Sequence, residues 1–192
     1  MPPELELIVS PRATYARLVR EPVRVSAIAA LRRPLLVAVV IGVSVSIVAT
    51  GRATPALVLG TTLSWSYVVL VQLAIALLLI APRAGRRVGL ARAIDLFFAG
   101  HAPWSLLLLI VAAWGPSPVG WPLWPMAAPA AAALLLTPRI VTAFFGEVFG
   151  MRAREARRAA IVQQAMTWTV TVAIFWVTSA LTPRLFEVLG LT

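Results

Sequence analysis

The chain reads as long uncharged apolar runs joined by short arginine-bearing links. Pro34 to Thr50 is the first run, and its 17 residues lie at the short end of what crosses a hydrocarbon core. Pro55 to Ala81 is longer and spans with tilt. Ile94 to Trp114 is the third run. The fourth, Trp121 to Thr137, is alanine-rich and carries Pro122, Pro125 and Pro129 in its first half, which predicts an irregular or kinked entry, with a re-entrant segment as the rival. Ile161 to Leu181 is the last. The pattern predicts an all-α polytopic membrane helix bundle with five transmembrane helices. It divides into a cytoplasmic leader (1–33), a single membrane domain (34–181) and a short outside tail (182–192).

Two further segments have helical periodicity with charge on one side. Ser10-Pro11 predicts a capped start with proline at the first helical position, Tyr15, Leu18 and Val19 share a face, and Glu21-Pro22 ends the helix. A second short helix is expected from Val23 to Leu31. Arg139 to Ala160 combines a Phe144, Phe145, Val148, Phe149 face with four arginines, predicting a penultimate amphipathic helix. Both are expected to lie on the membrane surface. Within the spans, Gly42 with Ser46 and Gly60 with Ser64 make small-xxx-small steps on which a helix packs closely. Thr61, Thr62, Ser66 and Gln72 are polar positions in the second span, and Gln163, Gln164, Thr167, Thr169 and Thr171 in the fifth. Trp114, Trp121 and Trp124 around the turn Gly115 to Pro118 form an expected interfacial belt, with Trp104 deeper.

The third run is interrupted. Pro103 cannot donate to the Ala99 carbonyl, so the helix is expected to bend near Gly100, beside the chain's single histidine, His101. Such an ionisable or polar group inside a span is a functional-site candidate by default. Asp95 stands at the entry of the run, three residues after Arg92, where a local pair is the simple expectation. His101 serves either as a structural donor, toward the Ala99 region or Gln72, or as a titrating relay. Asp95 and His101 are six apart and do not share a helix face. Gln72 is expected to hold helices together, with a substrate contact as the alternative. Glu147 sits in the basic helix and is expected to find an ion partner in solvent or lipid. The candidate residues are therefore His101, Asp95, Pro103 and Gln72.

Composition changes the picture in two ways. At 60% hydrophobic and 12% charged, with mean hydropathy +0.91, the chain lacks the polar surface a soluble domain of this length requires. The net charge of +10 comes entirely from arginines in the links, where anionic lipid headgroups are the nearer partner than nucleic acid. Fifteen of the 17 arginines fall in the leader and in the links after the second and fourth runs, including Arg83, Arg86, Arg87, Arg152, Arg154, Arg157 and Arg158; only Arg52 and Arg184 fall on the other side. By the positive-inside rule the N-terminus is cytoplasmic and the C-terminus outside, in a multi-pass cell (inner) membrane protein. The start MPPELELIVSPR lacks the basic, then apolar, pattern of a cleaved signal. Without cysteine, and with one histidine, disulfides, thiol nucleophiles and Cys/His zinc sites are excluded. No serine–histidine–aspartate set, phosphate loop or paired carboxylates appear. No enzyme and no cofactor are expected.

The stretch Pro11-Arg-Ala-Thr14-Tyr15-Ala-Arg-Leu18 with Glu21-Pro22 resembles the proline-aromatic lead into the first span of prokaryotic Yip-domain proteins, the family named for interaction with Ypt/Rab GTPases. Gly89-Leu-Ala-Arg-Ala93-Ile-Asp-Leu-Phe-Phe-Ala-Gly100-His101-Ala-Pro103 resembles the family's glycine, amphipathic entry and small-aromatic-small step before proline. Five spans with a cytoplasmic N-terminus complete the likeness. The chain lacks the Asp-Leu-Tyr-Gly-Pro type of segment of eukaryotic members, so Rab-type binding is not implied. The resemblance implies an integral membrane protein with no active site to carry over. The expectation is a non-enzymatic protein that organises protein partners, further copies of itself or lipids at the membrane. The alternative is a small transporter or permease subunit with a site near the broken third and fourth spans.

Overall fold

The structure, a computed structural model, describes residues 2–85, 87–114 and 124–188, with side chains left undescribed at 124–126 and 182–188. Arg86, the Gly115 to Pro118 turn, the start of the fourth run at Trp121, the side chains of Trp124 and Arg184 and the end of the tail lie outside what is described. Among the described residues every regular element is helical. The helices are α1 (Pro3–Val9), α2 (Pro11–Arg20), α3 (Ala27–Ala30), α4 (Arg32–Thr50), α5 (Pro55–Ile80), α6 (Leu90–Ala99), α7 (Ala102–Trp114), α8 (Trp124–Phe149) and α9 (Ala153–Val188). Four helices are long and apolar enough to cross a membrane, or five if α6 and α7, bent by 42°, count as one broken span.

Local chemistry sets most of the boundaries. Pro11 and Pro55 open α2 and α5, where a missing N–H is harmless. Glu21, held extended by the following Pro22, ends α2. Gly51, at φ 70°, closes α4 with its N–H on the Ile47 carbonyl at 2.7 Å, a left-handed cap that glycine adopts freely. Pro103 falls in the first turn of α7, so the break at Gly100 and His101 is the start of a new helix rather than a kink in a continuous one.

Four expectations are corrected. The region Val23 to Leu31 forms only the single turn Ala27–Ala30, while an unexpected short helix, α1, precedes α2. The fourth run is helical without interruption from Trp124 through Pro129 and Pro138 to Phe149. The separate amphipathic helix over 139–160 does not form. Residues 139–149 are the last turns of α8 and residues 153–160 the first turns of α9, divided at Gly150 (φ 66°). Finally, the apolar faces of α2 and of 139–149 do not lie free for lipid, because they are buried against each other. Tyr15, Phe144, Phe145 and Val148 are all fully buried. Phe144 is ringed edge-on by Tyr15 at 5.7 Å, Phe97 at 5.5 Å and Phe145 at 5.2 Å. Removing each such side chain from water contributes about 1.5–3 kcal/mol, whether lipid or protein covers it; here the cover is protein, with close edge-on ring packing.

Burial is therefore concentrated at one end. The core joins α1, α2, α6, the last turns of α8 and the first turns of α9 with Ala30 of α3, Ala38 and Ile41 of α4 and Val69, Ala76 and Ile80 of α5. The long helices, by contrast, show only 17–39% of their most apolar windows buried and expose Leu59, Leu63, Leu70, Leu135 and Trp176, as lipid-facing helices do. The dense end is also the arginine-bearing end. Arg33 from the leader reaches Asp95 in α6, Arg92 reaches the Leu18 carbonyl of α2 at 3.2 Å, and the Arg87 guanidinium lies over Gly150. All three basic segments of the chain thus meet there.

Of the two small-residue steps, one packs. Gly42 lies against Thr62 of α5, with the Thr61 hydroxyl donating to the Gly42 carbonyl at 2.7 Å. Gly60 has no atom of the chain near the place a Cβ would occupy.

Candidate functional site

The helices diverge from the dense end around a cavity of about 380 Å³, which receives side chains from α2, α4, α5, α6, α7, α8 and α9. Its walls are largely aromatic and aliphatic: Trp65, Phe97, Trp104, Phe144 and Trp168 with Ile41 and Leu108. Trp104 meets Trp168 edge-on at 5.3 Å, so it sits inside the bundle rather than in an interfacial belt. Tyr15 closes the end nearest the arginines, its hydroxyl donating to the Leu96 carbonyl at 3.3 Å.

Two of the four sequence candidates line this cavity. His101 is placed by the α6–α7 break, where its N–H donates to the Phe98 carbonyl at 3.2 Å and its carbonyl accepts from the Ser105 N–H at 3.0 Å. Its ring stacks on Phe98 with centroids 4.8 Å apart. Nδ1 of His101 is buried without a hydrogen-bond partner of normal geometry. Gln72, near the middle of α5, also faces the cavity, and its Oε1 is buried and unpartnered. Gln72 lies eleven residues before Arg83, about 16 Å along a helix at 1.5 Å per residue, which sets the site well below the arginine layer.

The fifth span supplies further polar groups to the cavity. Gln163, Thr167 and Thr171 recur every four residues on α9, one polar stripe in an apolar helix, and all three line the cavity with Gln164. Gln163 donates to the Thr167 hydroxyl at 3.1 Å and accepts from Gln164 at 2.6 Å; Thr171 Oγ1 is buried and unpartnered. The four-residue spacing is the signal that would have found them. Tyr15 and Trp65 carry no such signal.

The other two candidates lie elsewhere. Pro103 is buried at the start of α7 and does not line the cavity. Asp95, 9% exposed, is the centre of an ion cluster at the dense end. Its Oδ1 meets Arg33 at 2.6 Å and its Oδ2 meets Arg92 at 3.0 Å, while Arg33 also holds Glu4 at 2.8 Å. The expected Arg92 pair is present, but the stronger tie runs to Arg33, sixty-two residues away, which no local spacing announces. Asp95 and His101 are not brought together. Among the described residues Glu147 makes no ion pair, and no three His, Asp or Glu side chains converge as metal ligands.

The surface arginines divide by contact. Arg83 caps α5 through the Leu79 carbonyl at 2.6 Å, and Arg87 covers Gly150. Arg152, Arg154, Arg157 and Arg158 are exposed at the start of α9.

No charged side chain lines the cavity among the described residues. It offers hydroxyl, amide and imidazole groups to a guest, set in aromatic walls. The chain matches no protein-family model, no curated protein and no solved structure, so the resemblance to the Yip domain family gains no support from comparison.

Proposed function

We propose that this is a non-enzymatic integral membrane protein that binds a small uncharged molecule inside its helix bundle. The observation that carries the reading is the cavity of about 380 Å³, lined by His101, in which Gln72 Oε1 and Thr171 Oγ1 are buried and unpartnered. Each such orphan costs about 1–3 kcal/mol, a cost that a guest with hydroxyl, carbonyl or amide groups removes. The volume falls within the range of small-molecule sites. A charged guest finds no counter-charge there and meets a large desolvation penalty. A carrier or permease subunit, the alternative expected from the broken third span, is the form of this reading in which the cavity opens to each side in turn.

Organisation of protein partners through the amphipathic segments is the weaker reading, because both apolar faces are already buried within the chain. Contact of the arginine layer with anionic headgroups remains part of the proposal. So does the orientation, with arginines and N-terminus on the cytoplasmic side; terminal reporter fusions found in one compartment would overturn it.

The experiment uses the full chain in lipid nanodiscs and the neutral quencher 4-bromobenzyl alcohol. Trp65, Trp104 and Trp168 line the cavity, so occupancy quenches their emission. Saturable quenching is expected, weakened about tenfold in Gln72→Leu and in Thr171→Leu, with 4-bromobenzoate showing no saturation. Quenching that rises linearly and equally in all three proteins reports lipid partitioning alone and overturns the proposal.

A further inference from the structure

A second cavity, on the surface, has the opposite chemistry. It is a cleft of about 710 Å³ bounded by the start of α2, the middle of α8 and the first turns of α9. Three arginines line it: Arg12 from α2, Arg139 from α8 and Arg157 from α9. Their sequence separation is wide, so the fold and not a local charge run brings them together. Arg12 belongs to the leader, and Arg139 and Arg157 to the link after the fourth run.

The three hold no internal counter-charge, which they share with exposed arginines such as Arg20 and Arg24; what sets them apart is that they line one cleft. Arg17, Arg33 and Arg92 each hold a carboxylate, and Arg83 holds a backbone carbonyl. Among the described residues neither Arg12, Arg139 nor Arg157 has a carboxylate within 4.0 Å, and no acidic side chain lines the cleft. Exposed like charges that share a cleft give it a positive potential that attracts an anion from outside. A guanidinium presents a planar fork of donors that matches phosphate oxygens two at a time. Ser10 and Thr142 also line the cleft.

The rest of the lining is apolar: Val9, Pro138, Ala160 and Ile161. Arg139 lies eleven positions before Gly150, about 16 Å along α8, where the dense arginine end gives way to the lipid-exposed helices. We propose that this cleft is an anion site that takes a phosphate group, held by Arg12, Arg139 and Arg157. A phospholipid headgroup and a free phosphate share that chemistry. The lipid source also places its chains against Ile161 and its neighbours.

The full chain is reconstituted in phosphatidylcholine nanodiscs doped with phosphatidylglycerol, and native mass spectrometry follows lipid adducts as collision energy rises. One phosphatidylglycerol is expected to survive energies that strip the rest. Arg12→Gln, Arg139→Gln and Arg157→Gln each reduce the retained fraction at least fivefold, whereas Arg20→Gln and Arg24→Gln, exposed arginines outside the cleft, leave it unchanged. Arg139→Lys keeps the charge but loses the fork, so an intermediate loss is expected even where the glutamine variant folds poorly. Displacement of the adduct by millimolar inorganic phosphate identifies a free-phosphate site; resistance to phosphate identifies a lipid site. Equal losses from all five glutamine variants, or from none, overturn the proposal.

Discussion

Gly42 and Gly60 give the same signal in the sequence and opposite predictions in the structure. A Cβ at position 42 stands 1.9 Å from Thr62 Oγ1, 2.8 Å from Thr62 N and 2.9 Å from Thr62 Cα. The hydroxyl can rotate away; the backbone of α5 cannot. Favourable carbon contacts lie at about 3.5–4.0 Å, so Gly42→Ala forces α4 and α5 apart by about 0.6 Å or more. A gap of that size forfeits roughly a quarter or more of each contact along the interface. It also stretches the Thr61 hydroxyl bond to the Gly42 carbonyl. Overpacking of this kind costs about 1–3 kcal/mol. At Gly60 the same methyl meets nothing within 4 Å. Helix propensity favours alanine by a similar amount at both positions and cancels. The two variants should therefore separate by about 1–3 kcal/mol, with Gly42→Ala the less stable. Reversible unfolding by dodecyl sulfate in mixed micelles, followed by circular dichroism, measures the difference. Equal midpoints, or a more stable Gly42→Ala, would refute the α4–α5 packing described here.

Asp95→Asn leaves Arg92 without its carboxylate and Arg33 with Glu4 alone. Breaking a fully buried pair costs about 3–5 kcal/mol; the 13% exposure of this side chain lowers the expectation to about 2–3 kcal/mol. In the same micelle assay Arg17→Gln, whose side chain is half exposed, should cost under about 1 kcal/mol, and a similar loss from both would deny Asp95 its central place. Burial raises the Tyr15 phenol above its ordinary value of 10.0, with Arg33 pulling weakly the other way. A raised folded-state value means stability is fully present below about pH 10 and falls as pH climbs beyond it. Unfolding rates measured from pH 9 to 11.5 should rise in the native chain and rise less in Tyr15→Phe; identical slopes would contradict the buried placement.

Runs of apolar residues long enough to cross a bilayer are a property of composition along the chain, and so the helical class and the approximate positions of the long helices were written in the sequence. The same is true wherever one residue governs its own turn: Pro11 opening α2, Gly51 closing α4, Pro103 restarting the helix after Gly100. Prolines failed as guides inside α8, where Pro129 and Pro138 sit in an unbroken helix. Amphipathicity failed in another way. A face of Tyr15 and Leu18 announces that something apolar will cover it, but lipid and Phe144 are equivalent at that level of description. Contacts across long separations decided the rest: Arg33 with Asp95, Tyr15 with Leu96, and Gln72 and His101 with the polar stripe of α9 around one cavity. A pair energy depends on where two groups end up, and a one-dimensional pattern carries no information about that distance.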